Sequence, residues 1–162
     1  MIDKNYESFE KETRRLFRFL ETKYGFKVTS VKKGPPNVGI HIVYLNPTTA
    51  VQVGYEPMEN FVPVYLKRLV NGHLPKYPEE YSSNTFYLDR LLAIRAPNLN
   101  IDQKPKKRWL STHEIEKIVA SYARALEAHG ADVLAGDFAV FEQLRKQREQ
   151  LRDNRRRSSR CQ

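Results

Sequence analysis

Four histidines, nine tyrosines and nineteen Asp and Glu residues are the side chains of this 162-residue chain that could act as acids, bases, ligands or stacking platforms. Their spacing decides which chemistry is open to them. His113-Glu114-Ile115-Glu116-Lys117 follows the zinc-binding HExxH pattern until its last position, where Lys117 stands in place of the second histidine. The motif works by presenting two imidazoles one helical turn apart, so no metal is expected there. Cys161 is the only cysteine. A thiolate metal site and an intrachain disulfide are thereby excluded, and its position beside the C-terminus makes it a poor nucleophile. The seven glycines are scattered and form neither a GxGxxG turn nor a P-loop, and there is no GxSxG elbow. No catalytic residue, cofactor or metal is assigned.

The remaining candidates form a surface rather than a catalytic set. His41 alternates with Ile40 and Ile42 and so lies on the opposite face of a strand, within reach of groups such as Gln52 on the neighbouring strand. A histidine in that setting is more often structural or solvated than catalytic. His73 follows Asn71-Gly72 in a loop, and His129 falls in the last turn of a helix, where a cation suits the helix dipole. Tyr44, Tyr55, Tyr65, Tyr77, Tyr81 and Tyr87 concentrate in one stretch. Tyr44 and Tyr55 share the phase of Ile42 and Val53 and point to the core, while Tyr65 points the other way. Tyrosines on a sheet face can anchor a protein partner or stack on single-stranded nucleic acid. No RNP1-like string accompanies them. His41, Tyr65, Tyr77 and Tyr81 are therefore the candidate partner-binding residues. Tyr55-Glu56 and Glu79-Glu80-Tyr81 pair acids with tyrosines, a pattern that solvated loops also produce.

Positive charge is concentrated in two places. From Arg145 to Arg160 eight Lys and Arg face two acids, a local +6, and Lys104, Lys106, Lys107 and Arg108 add +4. The chain carries +9, so the rest is close to neutral. A basic helix end complements the dipole and aids solubility. The same residues, with Arg155, Arg156 and Arg157 foremost, are the candidate nucleic-acid contacts.

These residues must be positioned by recognisable elements. Tyr6, Phe9, Thr13, Leu16, Phe17, Leu20 and Tyr24 recur at three and four residues, predicting one amphipathic helix that Gly25 ends. From Phe26 to Val70 the period becomes two, over Phe26–Val28, Val38–Tyr44, Val51–Tyr55 and Val62–Leu66, with Gly, Pro and Asn turns between. Connections this short require antiparallel neighbours. Pro63 cannot donate to a ladder, so the fourth strand is expected at an edge. Ser83 or Asn84 is expected to cap a short helix carrying Leu88, Leu91 and Leu92 and stopped by Pro97. Ser111-Thr112-His113-Glu114 is a capping box, and Leu110 and Ile115 occupy the two staple positions. Gly130 ends that helix, and Asp137 caps the last one, whose apolar face ends at Leu151.

The predicted class is α+β: an N-terminal helix, a four-stranded antiparallel meander, then three C-terminal helices packed on the sheet. Residues 1–152 form one domain, and 153–162 form a basic tail expected to fray or be disordered. With 40% apolar residues, 17 of them Phe or Tyr, a core of ordinary size is within reach. The N-terminus has no apolar signal-peptide region, and no run of roughly 18 apolar residues crosses a membrane. A cytoplasmic location without membrane contact is expected.

The string Ala131-Asp132-Val133-Leu134-Ala135-Gly136-Asp137-Phe138-Ala139-Val140-Phe141 resembles a DxLxGDFxxF helix junction in small uncharacterised bacterial α+β proteins. The general layout is similar to that of toxin-immunity proteins, a likeness that implies action by binding and carries no catalytic residue with it. The expected function is thus a non-enzymatic, immunity-type binding protein with another protein as partner. Nucleic-acid binding through the two basic clusters is the alternative, and an enzyme assembled from distant residues such as His41, His73 and Tyr77 is the third reading. The oligomeric state is left open.

Overall fold

The period of two between Phe26 and Val70 becomes a sheet whose two faces are chemically distinct. The computed structural model describes residues 2–35, 38–101, 103 and 109–160, with side chains from 6 to 159 within those ranges. Five strands, β1 (Lys27–Lys33), β2 (Ile40–Leu45), β3 (Thr49–Tyr55), β4 (Val64–Arg68) and β5 (Thr85–Tyr87), follow one another in sequence order, each antiparallel to the next. The register places Ile42 opposite Val53, Val53 opposite Val64 and Leu66 opposite Phe86, so one face is continuous hydrocarbon and aromatic ring. Every residue of that inner set, from Ile40 to Phe86, is at most 2% exposed. Gly39 at the entry to β2 has φ 101°, and a Cβ there would fall 2.2 Å from the Tyr55 carbonyl oxygen. Only glycine permits that approach.

The helices cover the inner face. The helical run at the N-terminus, predicted as one helix, is broken at Phe17 into α1 (Ile2–Leu16) and α2 (Arg18–Tyr24). The break lets Phe17 and Leu20 both be fully buried, with the Phe17 ring 6.3 Å from Tyr44, while Phe9 of α1 lies 6.1 Å from Tyr55. Gly25 ends α2 in the left-handed region as its position predicts. After β5 come α4 (Leu88–Arg95), α5 (Thr112–His129), the single turn α6 (Ala131–Leu134) and α7 (Ala139–Arg160). α5 packs against α1 and α4, and α7 brings Phe141 to 4.9 Å from Phe86 in an edge-to-face contact. Arg95 of α4 clamps Asp132 of α6 with two hydrogen bonds of 2.5 and 2.6 Å.

The class is α+β, with these departures from the spacing. The sheet has five strands rather than four. Pro63 precedes β4 and does not lie within it, so no ladder donor is lost, and β4 is flanked by β3 and β5 instead of forming an edge. Ser83 and Asn84 do not cap α4. They belong to the turn α3 (Tyr81–Asn84), and α4 starts after Tyr87 without a side-chain cap. The final helix continues to Arg160, and its last core residue is Leu144, since Leu151 is half-buried and lies outside the core. Lys104, Lys106, Lys107 and Arg108 lie outside the described residues.

The capping box forms as its sequence demands: Ser111 accepts from the Glu114 backbone N–H, and the Glu114 carboxylate accepts from the Ser111 N–H at 2.9 Å. Leu110 and Ile115 are both buried beside it. Ser111→Ala is expected to lower stability by about 1 kcal/mol in chemical denaturation. A change indistinguishable from zero would show that α5 is held by its packing alone.

Candidate functional site

Alternation that buries Ile42, Val53 and Leu66 sends His41, Gln52, Tyr65 and Lys67 to the outer face, and cross-strand register then sets them side by side. His41 is opposite Gly54, Gln52 is opposite Tyr65, and Tyr65 is opposite Tyr87. Gly54 makes room for the imidazole, since a Cβ there would lie 2.4 Å from His41 Nδ1.

A polar chain crosses this face. Lys67 Nζ donates to Gln52 Oε1 at 2.8 Å, and the Gln52 amide nitrogen lies 3.1 Å from His41 Nδ1. An ammonium only donates, so the amide oxygen must face Lys67 and its NH₂ must face His41. His41 Nδ1 is consequently the acceptor, and a neutral ring carries its proton on Nε2. That nitrogen is 3.6 Å from Glu56 Oε1, too far for a hydrogen bond. Burial, followed by the charges of Lys67 and Lys32, pushes the His41 pKa down. Burial and then Glu59 push the Glu56 carboxyl up. With the His41 pKa lowered, the imidazole is neutral at neutral pH, so the His41–Glu56 contact is not an ion pair.

Lys67 is the buried charge of the site, at 8% exposure. Burial first, and Lys32 second, bring its pKa down to about 8. Its ammonium sits 5.5 Å from the Tyr65 ring centre and 5.6 Å from that of Tyr81, within cation–π range of both. Tyr65 and Tyr87 stack at 4.6 Å with their hydroxyls 3.2 Å apart, and Tyr81 and Tyr77 meet edge-on at 5.8 Å. Burial raises the pKa values of Tyr65 and Tyr81, so both phenols stay protonated at physiological pH.

The four residues singled out as partner-binding, His41, Tyr65, Tyr77 and Tyr81, are therefore joined into one surface through Gln52 and Lys67. The His41–Gln52 contact is the one their positions predict. Tyr44 and Tyr55 point inward and are buried, also as predicted. His73 is not part of the chain of contacts; it is exposed, with Nδ1 2.9 Å from its neighbour's carbonyl. The Glu80 carboxylate accepts from the Lys76 backbone N–H and shapes a loop. Among the described residues no cluster of three or more His, Cys, Asp or Glu could hold a metal, and no helix is long and apolar enough to cross a membrane. Lys67 and Arg90 escape sequence reasoning, while Tyr87 and Arg148 enter it only as members of the tyrosine cluster and of the basic segment. The signal for Lys67 is its alternation with Tyr65, which extends the fourth strand two residues beyond Leu66.

No family model matches this sequence, and neither a curated protein nor a solved structure matches it.

Lys67 makes a signed prediction. Its ammonium is bound less readily in the folded chain than in the unfolded one, so the unfolded state holds more protons between about pH 8 and pH 10.5. Its cost is fully present below pH 8 and is relieved as pH rises through that window, by roughly 3 kcal/mol at most. Urea denaturation is expected to show a rise in stability from pH 8 to 10 that Lys67→Met lacks. Parallel pH profiles of the two proteins would refute the assignment.

Proposed function

We propose that this protein acts by binding another protein, in the manner of an immunity protein that occupies its target's surface, and that the contact is made by the outer sheet face with the Tyr77–Tyr81 segment. The observation that carries this reading is the run from half-buried Tyr65, through the Lys67 ammonium, to half-buried Tyr81 and on to Tyr77, which is 81% exposed. Tyrosine offers large contact area for little lost rotamer freedom, and its hydroxyl tolerates a wet rim. Here the inner members are already held by Lys67, Tyr65 also against Tyr87 and Tyr81 against Tyr77. The ordering cost that usually weakens an interface is thus low before any partner arrives.

A photo-crosslinking residue in place of Tyr77, in native host cells, is expected to capture one reproducible protein species that the same probe at Glu7, exposed on α1, does not capture. With that partner purified, Tyr77→Ala or Tyr65→Ala is expected to weaken binding by about 2 kcal/mol, roughly thirtyfold. Identical adducts at both positions, or none at Tyr77, would remove the reading.

Nucleic acid is the second reading, favoured by one observation. α7 stays helical past its last apolar contact, and Arg152, Arg155, Arg156 and Arg157 are exposed on it, none of them in an ion pair among the described residues. Arg152, Arg155 and Arg156 fall at i, i+3 and i+4 and share a side of the helix. If this stripe tracks phosphates, replacing Arg152, Arg155 and Arg156 by Ala is expected to lower the slope of log affinity against log salt by about 3. An unchanged slope on duplex DNA and on single-stranded RNA would eliminate it.

A further inference from the structure

At the β5 edge of the sheet the chain gathers positive charge that no ion pair among the described residues neutralises. A notch of about 290 Å³ opens there between β4, β5 and the flanking helices, with Arg90 of α4 and Arg148 of α7 both in its wall. Among the described residues no Asp or Glu lines it. Asp89, next in sequence to Arg90, is taken up by the Tyr122 hydroxyl at 2.7 Å. Arg90 itself forms no ion pair among the described residues.

Arg148 is held in place without being neutralised. Its guanidinium lies flat enough to sit 4.2 Å from the Phe86 ring centre, and it donates to the backbone carbonyls of Ser82 and, at 2.5 Å, Thr85. Carbonyls orient a guanidinium but do not cancel its charge, and three of its five N–H donors remain for a ligand. Burial, and then the like charge of Arg90, make its cationic form less favourable than usual. An anion between the two would reverse both effects. A third group points to the same place: Thr85, 3% exposed and part of the notch wall, has a buried hydroxyl with no hydrogen-bond partner among the described residues. Buried hydroxyls are ordinarily paired, so an unpaired one at the wall of a cationic notch is a polar group left without its partner.

The other wall is aromatic. Tyr87 is 40% exposed, packed against Tyr65 at 4.6 Å with the rings tilted by 32°, and braced edge-on by Phe61 at 6.4 Å, so its ring is held in place and partly accessible. Two guanidiniums match a group that carries nearly two charges, as a phosphate monoester does at neutral pH, better than they match a single carboxylate. The volume lies at the small end of ligand sites and suits one ring with its phosphate rather than a dinucleotide.

We propose that this notch binds a small phosphate monoester attached to a planar ring, of the nucleoside monophosphate kind. The phosphate is held between Arg90 and Arg148, with the Thr85 hydroxyl beside it, and the ring lies on Tyr87. The notch shares Tyr65 and Tyr81 with the surface proposed for the protein contact, whereas Arg90 and Arg148, on which the phosphate depends, are not members of that surface.

Isothermal titration of the full chain with adenosine monophosphate tests it, with inorganic phosphate and adenosine as separate arms in phosphate-free, low-salt buffer. The monophosphate is expected to bind at least about tenfold more tightly than either fragment. Arg90→Gln is expected to weaken it by about tenfold or more while leaving weak adenosine binding and the melting temperature unchanged, and Arg90→Lys is expected to fall between. Tyr87→Ala is expected to bring the monophosphate down to the level of inorganic phosphate. Absence of monophosphate binding at millimolar concentration would overturn the site. So would Arg90→Gln binding as tightly as the unaltered chain, and equal affinity for monophosphate and inorganic phosphate would overturn the role given to the ring. None of these results bears on crosslinking at Tyr77, so failure here is distinguishable from failure of the protein contact.

Discussion

Burial of one sheet face under the helices is the constraint on which every other feature depends. Ile40, Ile42, Tyr44, Val51, Val53, Tyr55, Val64, Leu66 and Phe86 leave almost no surface to water, and α1, α5 and α7 close over them. A slip of one residue in any central strand would exchange that set for His41, Gln52 or Lys67 and drive polar groups into the core. Such an exchange costs several kcal/mol per unpaired group. The register is therefore unique, and with it the order in which the outer-face residues stand beside one another.

The outer face shows how a cation can be kept nearly buried without a carboxylate. Lys67 trades most of its hydration for one amide oxygen and two aromatic faces, and the lowered pKa shows that the exchange is incomplete. The same lysine decides the orientation of the Gln52 amide and, through it, the tautomer of His41. A group that does no chemistry itself thus sets the proton of one that could. The rings around it are held by contact with neighbouring rings, Tyr65 against Tyr87 and Tyr81 against Tyr77.

Two kinds of contact share the protein's cationic character in different ways. On α7, Arg145 and Lys146 pair with Glu142 and Glu149 along the helix surface, which is worth little where water screens the charges. Arg148, on the same helix, turns inward and ties α7 to α3 and β5 through backbone carbonyls. The basic character of this segment is consequently not one solvated stripe: one of its members is part of the fold's edge.

Local rules were enough for much of this. The change of period from near 3.6 to two at Phe26, the capping box at Ser111, the terminator at Gly25, the inward direction of Tyr44 and Tyr55 and the pairing of His41 with Gln52 all follow from neighbours within a few residues or from a single hairpin register. β5 was hidden because Thr85-Phe86-Tyr87 holds only one alternation, too few residues for a period to appear, while Leu88, Leu91 and Leu92 beside it spell a helix. The interior position of β4 depends on β5 and was lost with it. Lys67 beside Tyr81, and Arg148 beside Arg90 and Thr85, are brought together by the packing of α7 and the folding back of the Tyr77–Tyr81 segment. Amino-acid types and their spacing determined the α+β class and which residues face outward. Which of those residues touch was decided by tertiary packing alone, because contacts between residues sixty or so positions apart, such as Thr85 and Arg148, leave no periodic trace in the chain.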